Sequence, residues 1–359
     1  MKKRILCSIA ASVLFCAGMF AQVFVIERGA NTLTYNNLKA AVDALQDNDH
    51  LYIPPGRHDI SSYTWTGYDD NQNHSGTLAI NKKVSIYGAG HSEGANSTVI
   101  TGSGNGRFVI GRDASGSTIT GIRFDFPFQL DNVSNCIVTR CKMTNYFYLF
   151  GYGTNINLSE CEFDVMIQTG SSSYYSHPNA SSGMSSNISK SIFNHRYVLS
   201  NANISNSIFL SVSANSVYNI FMSCSLANNI FIISQTVTNS NCHFDGTSFI
   251  NNSFVNNLWV GGYATSTAER NNAFSNEMNR EDYANVFVDP DNRNYRLKDA
   301  CSGKNAGSDG TDVGIFGTAV PFKESRSPSI PLFRVKVIGA ETDAAGKLPV
   351  HIVIDAQDR

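Results

Sequence analysis

The chain has 359 residues, of which 16% are charged, and a net charge of −2. No basic block or acidic run is present, which excludes an electrostatic nucleic-acid binder and a charged disordered tail. Such a length suits one elongated repeat body, whose core grows along an axis, better than one compact globule.

The first elements read as an export signal. Lys2, Lys3 and Arg4 precede an apolar stretch from Ile5 to Phe20, and Ala21-Gln22 is a cleavage point, so residues 1–21 are predicted to be removed. The apolar stretch is short for a membrane span, and no later segment is predicted to span once the signal is gone. The mature chain is therefore expected in the periplasm, at the cell surface or outside the cell. Of eight cysteines, Cys7 and Cys16 leave with the signal. The other six match no zinc template, and no cofactor or metal site is predicted.

A helix is predicted from about Tyr35 to Gln46, with Leu38, Ala41, Val42 and Leu45 on one face and Thr34 as N-cap. A strand, Leu51-Tyr-Ile-Pro-Pro-Gly-Arg57, follows. Short strand units ending in Gly come next: Val84–Gly88, Val99–Gly102, Phe108–Gly111 and Ile119–Gly121.

The centre of the chain then repeats itself. Successive copies are Ile119–Phe124, Val138–Met143, Leu158–Phe163, Ile188–Phe193, Ile204–Phe209, Leu226–Phe231 and Phe249–Phe254, with a degenerate copy ending at Phe274. In each, an apolar residue stands five positions before a Phe or Met, and usually a small polar residue or Cys stands two positions before it. Two inward side chains five residues apart cannot share a face of an uninterrupted strand, whose period is two, so a bend must lie between them. The Asn, Ser or Cys is predicted at that bend. Stacking the copies gives an internal aromatic stack, an aliphatic stack and a polar ladder. Dense β-branched residues and Asn, without amphipathic periodicity, argue against a helical repeat. The fold class is thus all-β, a right-handed parallel β-helix over residues 22–325 whose open end needs a cap, supplied by the N-terminal helix. Residues 326–359 differ in character. Pro328-Ser-Ile-Pro331 breaks the chain, and Phe333–Ile338 and Leu348–Ile354 are predicted as a β-hairpin around Gly346, packed on the C-terminal end.

A short helix, the Tyr-Ile-Pro-Pro-Gly strand, Val84-Ser-Ile-Tyr-Gly-Ala-Gly90 and the Asn-rich coils together resemble the pectate-lyase-like β-helix superfamily. The stretches Asp289–Leu297 and Asn305–Gly317 are similar to secreted Bacteroides-type β-helix proteins of unassigned function. The resemblance covers about residues 23 to 325 and implies a fold far more than an activity, since this fold hosts lyases, hydrolases, esterases, adhesins and inert scaffolds. Resembled pectate lyases cluster aspartates with calcium and an Arg base, and resembled polygalacturonases carry Asn-Thr-Asp, Asp-Asp, Gly-His-Asp and Arg-Ile-Lys motifs. Neither pattern occurs in this sequence.

In the resembled fold, substrates lie near the sheet that follows the turn after the Phe strand. Tyr146, Tyr148, Tyr197 and Trp259 are the substrate-binding candidates there, because sugar rings stack on aromatic faces. The catalytic candidates are two pairs. Asp125 and Asp164 each follow a ladder Phe. With Thr144 in the coil between, they would lie about 9 to 10 Å apart, against about 6.5 to 9.5 Å for an inverting glycosidase. His195 and Arg196 supply the residue types of a lyase base and a carboxylate-neutralising cation. Cys141 and Cys161 fall on the same ladder position about 5 Å apart, so a disulfide and a reduced stacked pair are both open. The Gly307–Asp312 stretch lacks the spacing and terminal Glu of an EF-hand and reads as a glycine-rich closing turn. The function expected is polysaccharide binding along a solenoid face by a monomer, without evident catalysis. A lyase or glycosidase acting on a uronate-containing glycan, and a structural or adhesive envelope protein, are the alternatives.

Overall fold

The computed structural model describes residues 23–66, 73–92, 96–165, 167–169, 184–195, 197–212, 219–233, 249–250, 253–260, 273–324, 326, 332–338, 346–347 and 350–355. The export signal, Arg196, Cys242 and the Pro328–Pro331 break lie outside the described residues. Among the described residues no helix is long and apolar enough to cross a membrane.

Three stacked sheets of twelve, ten and eight strands make the body. Each coil takes one strand from each sheet in turn, as in Thr118–Thr120, then Ile122–Phe124, then Phe128–Asp131, before Ile137–Thr139 begins the next coil. Strands of successive coils pair in parallel and in register. This is the parallel β-helix that the repeat predicted.

Inside, like stands on like. In the twelve-stranded sheet Leu51, Ile86, Ile119, Val138, Leu158, Ile188, Ile204, Leu226 and Phe254 align and are buried. In the ten-stranded sheet Phe163, Phe193, Phe209, Phe231 and Trp259 form a continuous stack, with successive centroids 4.9, 4.4, 4.7 and 4.4 Å apart.

Two expectations about the repeat need correction. The spacing of five has two solutions near its end, and Phe254–Trp259 is the true copy, not Phe249–Phe254. Phe254 pairs with Leu226 in the aliphatic row, Trp259 pairs with Phe231 in the aromatic row, and Phe249 belongs to the eight-stranded sheet beside Phe221. The bend also falls one residue earlier than expected. Arg140, Glu160, Lys190, Asn206, Asn228, Asn256 and Asn276 hold φ between 48° and 56°. This left-handed residue interrupts the period of two, so the next residue points inward again.

That next residue has a defined task. The backbone ladder is broken at the bend, and buried N–H groups there need another acceptor. Asn229 Oδ1 accepts from Ser207 N at 2.9 Å, Asn257 Oδ1 from Asn229 N at 2.9 Å, and Glu277 Oε1 from Asn257 N at 3.1 Å. Ser191 and Ser207 do the same for the coils before them. Cys141 and Cys161 occupy this position in their coils, stacked and unbridged in the structure. Each sulfur is directed at carbonyl oxygens instead, Thr139 O at 3.4 Å for Cys141 and Ser159 O at 3.4 Å for Cys161.

The N-terminal helix α1 is Leu38–Asp43, shorter than predicted, with Asn37 as N-cap instead of Thr34. Asn37 Oδ1 accepts from Ala40 N at 2.8 Å. The helix starts late because Asn31–Tyr35 pairs antiparallel with Phe24–Arg28, at the edge of the twelve-stranded sheet. Leu38, Ala41, Val42 and Leu45 are buried in the same core as the first coils, as the cap expectation required.

The outer side of the ten-stranded sheet changes character along the axis. Its outward residues are Arg123, Lys142 and Glu162, and then Ile192, Ile208, Ile230 and Leu258. The apolar half is covered by chain beyond the last coil, where Phe287, Leu297, Val313, Ile315 and Phe322 form a second buried cluster with it. The Gly307–Asp312 stretch is a closing turn in this segment, with Asp309 Oδ1 accepting from Thr311 N at 3.1 Å. Leu332–Ile338 and Val350–Asp355 form the predicted antiparallel hairpin.

Candidate functional site

After Thr98–Thr101, Ile122–Phe124, Lys142–Met143, Glu162–Phe163 and Ile192–Phe193 of the ten-stranded sheet the chain turns a corner into the eight-stranded sheet. The first corner residues of four successive coils are Asp125, Thr144, Asp164 and Asn194. Their N–H groups donate to carbonyls one coil earlier at 2.9 to 3.0 Å. Asp125 and Asp164 therefore stand two coils apart with Thr144 between, as the sequence spacing predicted. Thr144 Oγ1 donates to Asp125 Oδ1 at 2.7 Å, and Asn194 Nδ2 donates to Asp164 Oδ1.

Cations from the adjoining sheet face complete both sites. Asp125 receives Arg123 Nε at 2.6 Å and Arg57 at 3.1 Å. Asp164 receives Lys142 Nζ at 2.9 Å, and the same ammonium lies 3.5 Å from Glu162. Partial burial would raise the Asp125 carboxyl, but the Thr144 hydrogen bond and the Arg123 and Arg57 guanidiniums outweigh it and hold it below the ordinary carboxylate range. An inverting glycosidase needs one carboxyl raised so that it stays protonated. Asp125 is moved the opposite way, and the oxygens of Asp164 are occupied by Lys142 and Asn194. The geometry thus suits a charge-locked corner better than an acid and base pair.

The aromatic candidates separate into two groups. Tyr146 and Tyr148 are half-buried on the outside of this same corner, with ring centroids 5.8 Å apart and planes within 19°. The Arg107 guanidinium lies 5.6 Å from the Tyr148 ring centre and also donates to Gln129 Oε1. Gln129 and Gln168 flank Tyr148 in the coils before and after it. Tyr197 and Trp259, in contrast, are fully buried and face the interior, so neither can receive a sugar from solvent. Tyr197 is in register with Ile167 and Phe147, which are inward positions; the outward neighbour in its strand is Val198. Trp259 completes the internal aromatic stack. His195 is exposed on the next corner, and its expected partner Arg196 lies outside the described residues. Among the described residues no three His, Cys, Asp or Glu side chains gather as a metal site.

Reading by single motifs missed Arg57, Arg107, Arg123, Lys142 and Glu162. The last three had a signal: each directly precedes a ladder Phe or Met, and a period of two sends that position outward.

No family model matches the chain, and no curated protein matches it. Among solved structures the chain is similar to that of pectate lyase Pel9A, at 12% identity and a TM-score of 0.31, over 77% of this chain and 90% of that one.

Proposed function

We propose that this is an exported protein that binds polysaccharide on the corner between the ten- and eight-stranded sheets and does not cleave it. The observation that carries the reading is the near-parallel Tyr146 and Tyr148 pair beside Arg107, Gln129 and Gln168. Tyrosine faces accept the apolar face of a pyranose ring, while amides and a guanidinium supply hydrogen bonds to its hydroxyls. The coil spacing of about 4.8 Å sets Gln129, Tyr148 and Gln168 in a row that suits a chain-like ligand. Against Asp125 as the protonated acid of a glycosidase stands its lowered carboxyl, held by Thr144, Arg123 and Arg57.

A glycan array probed with the mature chain, paired with an ultraviolet assay for unsaturated uronate, tests both parts. Binding without product is expected. The double substitution Y146A/Y148A should weaken that binding at least about tenfold, as the loss of two stacking contacts of roughly 1 kcal/mol each implies. Unsaturated product would replace this reading with a lyase. Binding that ignores the double substitution would move the site elsewhere.

A further inference from the structure

The strand that carries the tyrosine pair continues the pattern beyond it. Along Tyr146-Phe147-Tyr148-Leu149-Phe150-Gly151-Tyr152, Phe147 and Leu149 are fully buried in the core. The period of two therefore turns Tyr146, Tyr148 and Phe150 outward, and all three are half-buried. Tyr152 follows at the corner where the chain leaves the eight-stranded sheet, and it is 69% exposed. Aromatic side chains thus cross the outer face from one corner to the other, over a length of at most about 20 Å.

The backbone holds Tyr152 out. Gly151 has φ 79°, and a Cβ there would lie 2.3 Å from Asn132 Oδ1. A Cβ on Gly153 would lie 1.9 Å from Val133 O. Glycine on both sides lets this turn close on the coil before it. Tyr152 N donates to Asn132 Oδ1 at 3.0 Å, and Asn132 N donates to Phe150 O at 2.9 Å. The chain that presents the ring is fixed in advance, so a ligand there has little backbone to order. Along the solenoid axis, in contrast, the aromatic faces do not repeat. The axial row through Tyr148 runs Val109, Gln129, Tyr148, Gln168, Val198. Phe150 has Asp131 in the coil before it, and Pro127 stands one coil before Tyr146. The axial row brings amides but a single ring, whereas the strand brings a succession of rings.

We propose that the polysaccharide crosses the eight-stranded sheet along Tyr146, Tyr148, Phe150 and Tyr152, transverse to the solenoid axis. The rings take the apolar faces of consecutive sugars, and Gln129 and Gln168 bond hydroxyls from the two sides of the chain. This inference rests on the polysaccharide reading above. It adds the direction of the chain, the further subsites Phe150 and Tyr152, and a length requirement: an oligosaccharide shorter than the strip leaves Tyr152 uncovered.

The test is calorimetric titration of the full chain with cello-, xylo-, manno- and galacturono-oligosaccharides, each from disaccharide to octasaccharide. In the series that binds, affinity is expected to climb with length until the strip is filled. Y152A, a change at an exposed side chain that leaves the core intact, should weaken the octasaccharide about fivefold, and its effect should vanish for the disaccharide. Y152F keeps the ring and should retain the octasaccharide affinity. Y146A/Y148A should weaken both lengths. If Y152A matches the wild type at every length while Y146A/Y148A still weakens binding, the chain follows the axis and this inference falls, with the glycan corner intact. If the wild type binds no octasaccharide, both readings fall.

Discussion

Trp259 donates its indole N–H to Glu277 Oε2 at 2.5 Å while its ring lies 4.4 Å from that of Phe231. One side chain thus terminates the described part of the aromatic stack and joins it to the inward polar ladder.

The first prediction follows from that junction. W259A removes a fully buried ring and leaves a cavity, so it should cost about 3 to 5 kcal/mol in equilibrium unfolding. The Glu277 carboxyl gives the second prediction. Burial pushes it above the ordinary range despite its bonds to Trp259 and Asn257. The native state therefore holds this proton more tightly than the unfolded chain, and stability declines as pH rises through that range. E277Q removes this pH dependence, but N–H donors occupy both carboxylate oxygens, so the amide NH2 would face the Trp259 or Asn257 N–H and should cost about 1 to 3 kcal/mol. Denaturant titrations at pH 4 and pH 7 measure both effects, and a variant that keeps the wild-type pH slope would contradict the account.

Asn257 tests the polar ladder itself. Its amide accepts from Asn229 N at 2.9 Å and donates to Leu226 O at 3.0 Å, both in the preceding coil. N257L keeps the volume but strands a buried donor and a buried acceptor, at about 1 to 3 kcal/mol each. N257S should be milder, because serine holds the equivalent position at Ser191 and Ser207. Equal melting temperatures for the two variants would show that the amide is only filling space.

His91 should make the protein acid-sensitive. Burial, followed by the charges of Arg326, Lys142 and Arg293, pushes its ring down to about 3. An unfolded histidine titrates near about 6.5. Between those values the unfolded chain binds a proton that the native state refuses, so stability rises with pH across this window and levels off above it. The slope is up to about 1.4 kcal/mol per pH unit. Urea unfolding of the wild type and H91N at pH 7 and pH 4.5 should show a shallower loss in the variant, and identical losses would assign the acid sensitivity to other groups.

Cys141 and Cys161 should resist alkylation in the native state, because burial pushes the Cys141 thiol up to about 12 and raises Cys161 as well. In denaturant they should react fully without prior reduction. Mass spectrometry of the two peptides decides this, and a requirement for reductant would reveal a bond between them.

The architecture was legible because a coil repeats its environment. Ile119, Val138 and Leu158 meet the same surroundings one coil apart, so selection for the same side-chain type prints a spacing into the chain, and Phe163, Phe193 and Phe209 do so again five residues later. The corner position of Asp125, Thr144 and Asp164 followed from the same count. Where the spacing admitted two registers, at Phe249, Phe254 and Trp259, sequence had no means to choose, and the parallel pairing of Leu226 with Phe254 chose.

Solenoid periodicity, the aliphatic and aromatic rows and the terminal hairpin are consequences of local alternation, and the amino-acid order alone determined them. Whether an aromatic faces the bore or the solvent, as Tyr197 and Tyr148 do differently, depends on strand register, and so only the stacked coils decided it. Charge pairing was also a tertiary decision. Glu162 meets Arg326, 164 positions further along the chain, because the segment beyond the last coil folds back over the outer sheet, and no local pattern encodes which surface a returning chain will cover.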